Sequence, residues 1–70
     1  MNLGFIGTGE ITKAVVIGIL NSKINYKKIY LSKRNAVISK YLSKKSKKIV
    51  ILDDNQKIID KSNWVFLSIT

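Results

Sequence analysis

The chain has 70 residues and a mass of 7.9 kDa, and it contains no cysteine, histidine or proline. That inventory excludes a disulfide framework, a thiol nucleophile, a Ser-His-Asp relay and a zinc site of the usual ligand set. Thirteen Lys+Arg against four Asp+Glu leave a formal charge of +9, which attracts polyanions and phosphate-bearing ligands in general.

The length allows one small domain, residues 1–70, whose core supplies only ~3–5 kcal/mol at this size. A hydrophobic share of 46 % is that of a globular chain. No acidic residue lies between Ile11 and Leu52, while ten of the thirteen cations lie from Lys23 to Lys48. Almost all are Lys, beside many Ile and Asn, so a bias of the coding sequence competes with a functional reading. The longest apolar run, Ala14 to Leu20, is seven residues, far short of the ~18 of a membrane span. With no charged region ahead of an apolar stretch there is no secretory signal. A cytoplasmic protein without a membrane partner is expected.

In chain order, four apolar runs read as strands: Leu3 to Ile6, Ile29 to Leu31, Ile49 to Leu52 and Val65 to Leu67. None alternates with polar residues, which suits a parallel sheet buried on both faces. Ile11, Ala14, Val15, Gly18 and Ile19 recur at helical spacing after the first, with Gly18 expected to let that helix sit close to the sheet. Val37, Ile38, Tyr41 and Leu42 repeat the pattern after Asn35, a candidate N-cap. Ile58 and Ile59 mark a third, short helix opened by Asp53, Asp54 or Asn55. The alternation predicts an α/β fold: a Rossmann-like parallel sheet of strand order 3-2-1-4 with helices on both faces. The chain stops at Thr70, directly after the fourth strand. It therefore reads as the truncated opening of something longer, incomplete after that strand, with apolar sheet surface left uncovered.

The strongest local signal joins the first strand to the first helix: Gly4-Phe5-Ile6-Gly7-Thr8-Gly9-Glu10-Ile11-Thr12. Gly7 permits a tight turn, Gly9 leaves the backbone open to a pyrophosphate, and helix N–H groups point at the anion. Thr12 stands where the fingerprint has Gly or Ala. Its branched side chain is expected either to push the helix outward or to turn its hydroxyl into a hydrogen bond. The Glu10 carboxylate is tolerable there only if it points to water.

In dinucleotide folds the end of the second strand, ~20 residues on, selects the cofactor: an acid for the ribose of NAD, an Arg for the extra phosphate of NADP. Here the strand runs into Ser32-Lys33-Arg34-Asn35, with no acid and the chain's single Arg. NADP (NADPH) is favoured, and NAD is the weaker choice.

Gly4 to Gly9, Ala14, Gly18, Ser32-Lys33-Arg34-Asn35, Asp54-Asn55-Gln56 and Val65-Phe66-Leu67-Ser68-Ile69 together resemble the N-terminal domain of pyrroline-5-carboxylate reductase. The likeness covers essentially the whole chain. It implies reduction of a cyclic imine to proline, in proline biosynthesis, with hydride from NADPH or NADH. By position Ile6, Gly7, Thr8, Gly9, Glu10 and Ile11 resemble the pyrophosphate segment, and Ser32, Lys33 and Arg34 the 2′-phosphate loop. Asn55 matches an amide meeting the adenosine portion. Leu67, Ser68 and Ile69 resemble the segment beside the cofactor after the fourth strand. The family's basic residue and proline after that strand are not found; Thr70 stands there instead. Its imine site and dimer contacts belong to a C-terminal helical domain, so no residue here is carried over as catalytic. Hydride transfer by this chain alone is not expected, because only one reactant has a holder.

Two other readings compete. One is the cofactor domain of a different NADP-dependent dehydrogenase, of the 6-phosphogluconate or hydroxyacid type. The other is a non-catalytic module that binds polyanions. Against the second, recognition signatures for nucleic acid are missing, and Lys44-Lys45-Ser46-Lys47-Lys48 reads as a solvated loop. Trp64, Tyr26, Tyr30 and Tyr41 do not interleave with cations at a stacking spacing, so core and rim packing is expected for them. Asp53-Asp54 reads as a helix start, with too few oxygen ligands for a hard cation, so no metal is expected.

Overall fold

The computed structural model describes residues 1–7, 9–33 and 36–67. In chain order the elements are β1 (Asn2–Ile6), α1 (Glu10–Leu20), β2 (Lys28–Ser32), α2 (Ala36–Ser43), β3 (Ile49–Leu52), α3 (Asn55–Lys61) and β4 (Trp64–Leu67). The strands form one parallel sheet of order β3-β2-β1-β4, as the alternation predicted. In register, Phe5 stands opposite Leu31 on one side and Phe66 on the other.

Side chains two apart on a strand share a face, and the two faces are covered by different helices. Leu3, Phe5, Ile29, Leu31 and Ile49 form the main core with Val16 and Ile19 of α1 and Leu42 of α2. On the opposite face α3 crosses β1, β2 and β3, with Ile58 fully buried. Gly4 makes that crossing possible. A Cβ on it would stand 2.3 Å from Ser62 Oγ and 2.7 Å from Ile58 Cγ2. No side chain fits between strand and helix there.

Three expectations about helix faces need correction. On α1 the buried stripe is Thr12, Val16 and Ile19, whereas Ile11 is 73 % exposed and Ala14, Val15 and Gly18 also face outward. This helix is apolar nearly all round, so spacing alone does not identify its inner face. Gly18 does not bring the helix to the sheet, since nothing lies within 4 Å of where its Cβ would be. On α2 the buried residues are Ser39 and Leu42, and Val37 is 79 % exposed. Ser39 is tolerated inside because its hydroxyl donates to Ser32 O at 2.7 Å. The Asn35 cap lies outside the described residues.

The start of α3 is now assigned: Asp54 is the N-cap, its Oδ1 accepting from Gln56 N–H at 2.8 Å. Uncovered apolar sheet surface is present at β4, where Trp64 is 62 % and Leu67 66 % exposed. Trp64 is therefore not a core residue.

Candidate functional site

Parallel strands point their C-terminal ends to one edge of the sheet, and the loops there carry the sequence-predicted residues. After Ile6 the chain turns through Gly7, whose φ of 82° lies in the left-handed region that favours glycine. Gly9 then heads α1 in extended conformation, with no side chain capping the helix and nothing within 4 Å of where its Cβ would be. The first intrahelical bond runs from Lys13 N–H to Gly9 O at 2.9 Å. Gly9 thus puts no side chain over the start of the helix, and bare backbone with open space beside it is what a pyrophosphate requires. The residues present fit a dinucleotide. Glu10 is exposed, so its carboxylate has access to water rather than being confined beside that space.

Thr12 takes the second of its two expected courses. It is 2 % exposed, and its Oγ1 donates to Gly7 O at 3.1 Å. The branched residue at the fingerprint's small position thus clamps the turn onto the helix. Ser32 braces the same turn from β2, its Oγ accepting from Gly7 N–H at 3.3 Å. At 3 % exposure Ser32 is more buried than a loop residue. Its carbonyl holds Ser39, so one residue ties the glycine turn to α2. Sequence reasoning assigned Ser32 to the phosphate loop and missed this bracing. A hydroxyl closing a strand beside a glycine turn was the only signal available.

Across from the turn, Ser32 and Lys33 meet the start of α3 around an open cleft of about 860 Å³. Lys33 N–H donates to Leu52 O at 3.1 Å, pinning the ends of β2 and β3 together. Asn55 lines this cleft, so Ser32, Lys33 and Asn55, far apart in sequence, share one wall-to-wall space. Asp53, Asp54 and Lys57 line it too. The end of β2 has no acid in sequence, yet β3 brings two carboxylates to the same cleft. Asp54 is engaged by the helix cap. Asp53 stands 4.0 Å from Lys57 Nζ, a loose and solvated pair worth little to stability. The i,i+4 spacing of Asp53 and Lys57 was the signal that could have placed this pair.

Ile6 and Leu67 end the paired strands β1 and β4 in register, at the same edge of the sheet as the turn. Ile11 lies in the first turn of α1, exposed. Thr8, Arg34, Ser68 and Ile69 lie outside the described residues. Among the described residues no group of three metal-ligating side chains occurs, and no helix is long and apolar enough to cross a membrane.

Comparison with curated proteins and with solved structures returns no match. A family model does match, described as NADP oxidoreductase coenzyme F420-dependent, over residues 2–70. The glycine turn, the cleft and this match agree, and the chain belongs to that family as an NAD(P)-binding oxidoreductase domain.

Proposed function

We propose that the chain is the NADP-binding half of a pyrroline-5-carboxylate reductase-like oxidoreductase. Gly7 and Gly9 take the pyrophosphate, with backbone from Ile6 to Ile11 around it. Lys33 and Arg34 take the 2′-phosphate, and Asn55 meets the adenosine portion. Leu67, Ser68 and Ile69 run beside the nicotinamide end. When bound, the reduced cofactor supplies a hydride for the imine carbon; this chain's own part is to grip and aim. The imine needs a second holder, which no residue assigned here provides.

The observation that carries this reading is the cleft that joins Ser32, Lys33 and Asn55 beside the open turn at Gly9. The lysine there, with Arg34 next in sequence, favours the phosphorylated ribose. Asp53 stands loosely beside Lys57 and Asp54 accepts from the Gln56 N–H, so each carboxylate at the cleft has a partner within the chain.

The test is titration of the chain with NADPH and NADH. NADPH is expected to bind more tightly. Arg34→Glu is expected to weaken NADPH by about ten- to a hundred-fold, the loss of one or two charge-assisted hydrogen bonds, with little change for NADH. Equal affinities in the wild type, or an unchanged ratio in the variant, would remove the NADP assignment.

A further inference from the structure

The basic run Lys44 to Lys48 has no part in the site above. It begins just after α2, and the structure places two of its lysines on aromatic rings. Lys45 Nζ lies 4.8 Å from the centroid of Tyr41, and Lys13 Nζ, from α1, lies 4.7 Å from the same ring. Lys48 Nζ sits 5.1 Å from the ring of Tyr26. The tyrosines do not interleave with cations at a stacking spacing along the chain, but in space Tyr41 and Tyr26 collect three of them. Ammonium–ring attraction then holds each charge at a defined place instead of leaving it on a free stem.

Between these rings runs a groove of about 410 Å³, within the size range of small-ligand sites. Its lining mixes the apolar side chains of Ile17 and Leu20 and the rings of Tyr26 and Tyr41 with the polar groups of Asn21, Lys45 and Ser46. The walls are preformed. Asn21 N–H donates to Ile17 O at 3.0 Å, closing α1. Lys45 N–H donates to Leu42 O at 2.9 Å, and Lys48 N–H to Ser46 Oγ at 3.1 Å. Asn21 follows α1, Tyr26 precedes β2 and Ser46 precedes β3. Those three positions lie at the N-terminal ends of the strands, the opposite edge of the sheet from the glycine turn, and Lys13 reaches Tyr41 from the start of α1. From Ile11 to Leu52 the sequence has no carboxylate to neutralise it.

We propose that this groove is a second ligand site that takes single-stranded nucleic acid. A base enters between Tyr26 and Tyr41 against Ile17 and Leu20, and flanking phosphates meet Lys13, Lys45 and Lys48, the lysines held on those rings. Single-strand sites combine a cationic track with a face on which a base can rest, and both are present. Concavity argues against an anionic bilayer, whose plane would touch the lysine rim and miss the floor. A paired duplex keeps its base faces stacked and offers none to it.

The experiment measures anisotropy of a short fluorescent oligothymidylate with the 70-residue chain, at rising salt and with or without saturating NADPH. Binding is expected with a log–log salt slope of about −2, for three phosphates on a single strand. NADPH should not compete. Lys45→Glu with Lys48→Glu should weaken binding about tenfold or more, and Lys45→Arg with Lys48→Arg should keep it. Lys44→Glu with Lys47→Glu makes the same change of net charge outside the groove and should cost much less. Circular dichroism confirms that each variant is folded. The proposal is overturned by absence of oligonucleotide binding, by competition from NADPH, or by equal losses in the two charge-reversed pairs. Phosphatidylserine vesicles that bind through Lys45 and Lys48 when the oligonucleotide does not would also overturn it.

Discussion

β1 is flanked by two strands in equally regular register, yet the two flanks differ. On the β2 side Ile29 and Leu31 are fully buried beneath α1 and α2. On the β4 side the register partners of Leu3 and Phe5 are Trp64 and Phe66, 62 % and 42 % exposed. Both strands are short apolar runs, but β2 is paired on both sides whereas β4, among the described residues, pairs only with β1. Helical cover differs as well, so a strand's apolar content records its capacity for burial, and the neighbouring strand and the helices above decide whether burial occurs. Phe5 marks the boundary: 2 % exposed itself, it stacks on Phe66 with centroids 4.8 Å apart.

The contrast can be broken most forcefully at its covered side. Phe5→Ala removes a buried aromatic at a cost of about 3–5 kcal/mol, comparable with all that the core of a domain this small supplies. The variant is expected to be largely unfolded by circular dichroism at 25 °C; a cooperative melt near that of the wild type would show that the core lies elsewhere. Gly4→Ala comes next. Its methyl group would drive into Ser62 and Ile58, and overpacking of this kind costs about 1–3 kcal/mol. A lowered urea midpoint with unchanged slope is expected, and an unshifted midpoint would mean that α3 rides more loosely on β1. The smallest effect belongs to Phe66→Ala on the open flank. It forfeits a stacked pair worth about 0.5–1.5 kcal/mol beyond partial burial. A loss as large as that of Phe5→Ala would contradict the asymmetry.

The candidate site shows the same division at finer scale. The glycine turn was legible because Gly7 and Gly9 meet local demands, a left-handed φ and an unobstructed backbone. The role of Thr12 was legible as two alternatives, and the hydrogen bond to Gly7 O selected one. The cleft was only half legible. Ser32, Lys33 and Asn55 could be named one by one, but the arrival of Asp53 and Lys57 beside them depends on β3 lying next to β2. Of the lysines gathered around Tyr41, Lys45 is four residues on in the turn after α2, but the arrival of Lys13 was not legible, because it depends on how α1 packs beside α2.

What this amino-acid sequence determines by itself is the alternation of strands and helices, and the glycine turn between β1 and α1. Both rest on short-range causes: side-chain branching, periodicity and backbone freedom. The tertiary structure alone decides which stripe of α1 faces inward, because that helix is apolar nearly all round; Thr12, bonded to Gly7 O, lies on the buried side. It also decides which charges share a cleft. Coulomb forces depend on separation in space, and separation in space is settled only when the strands have taken their order.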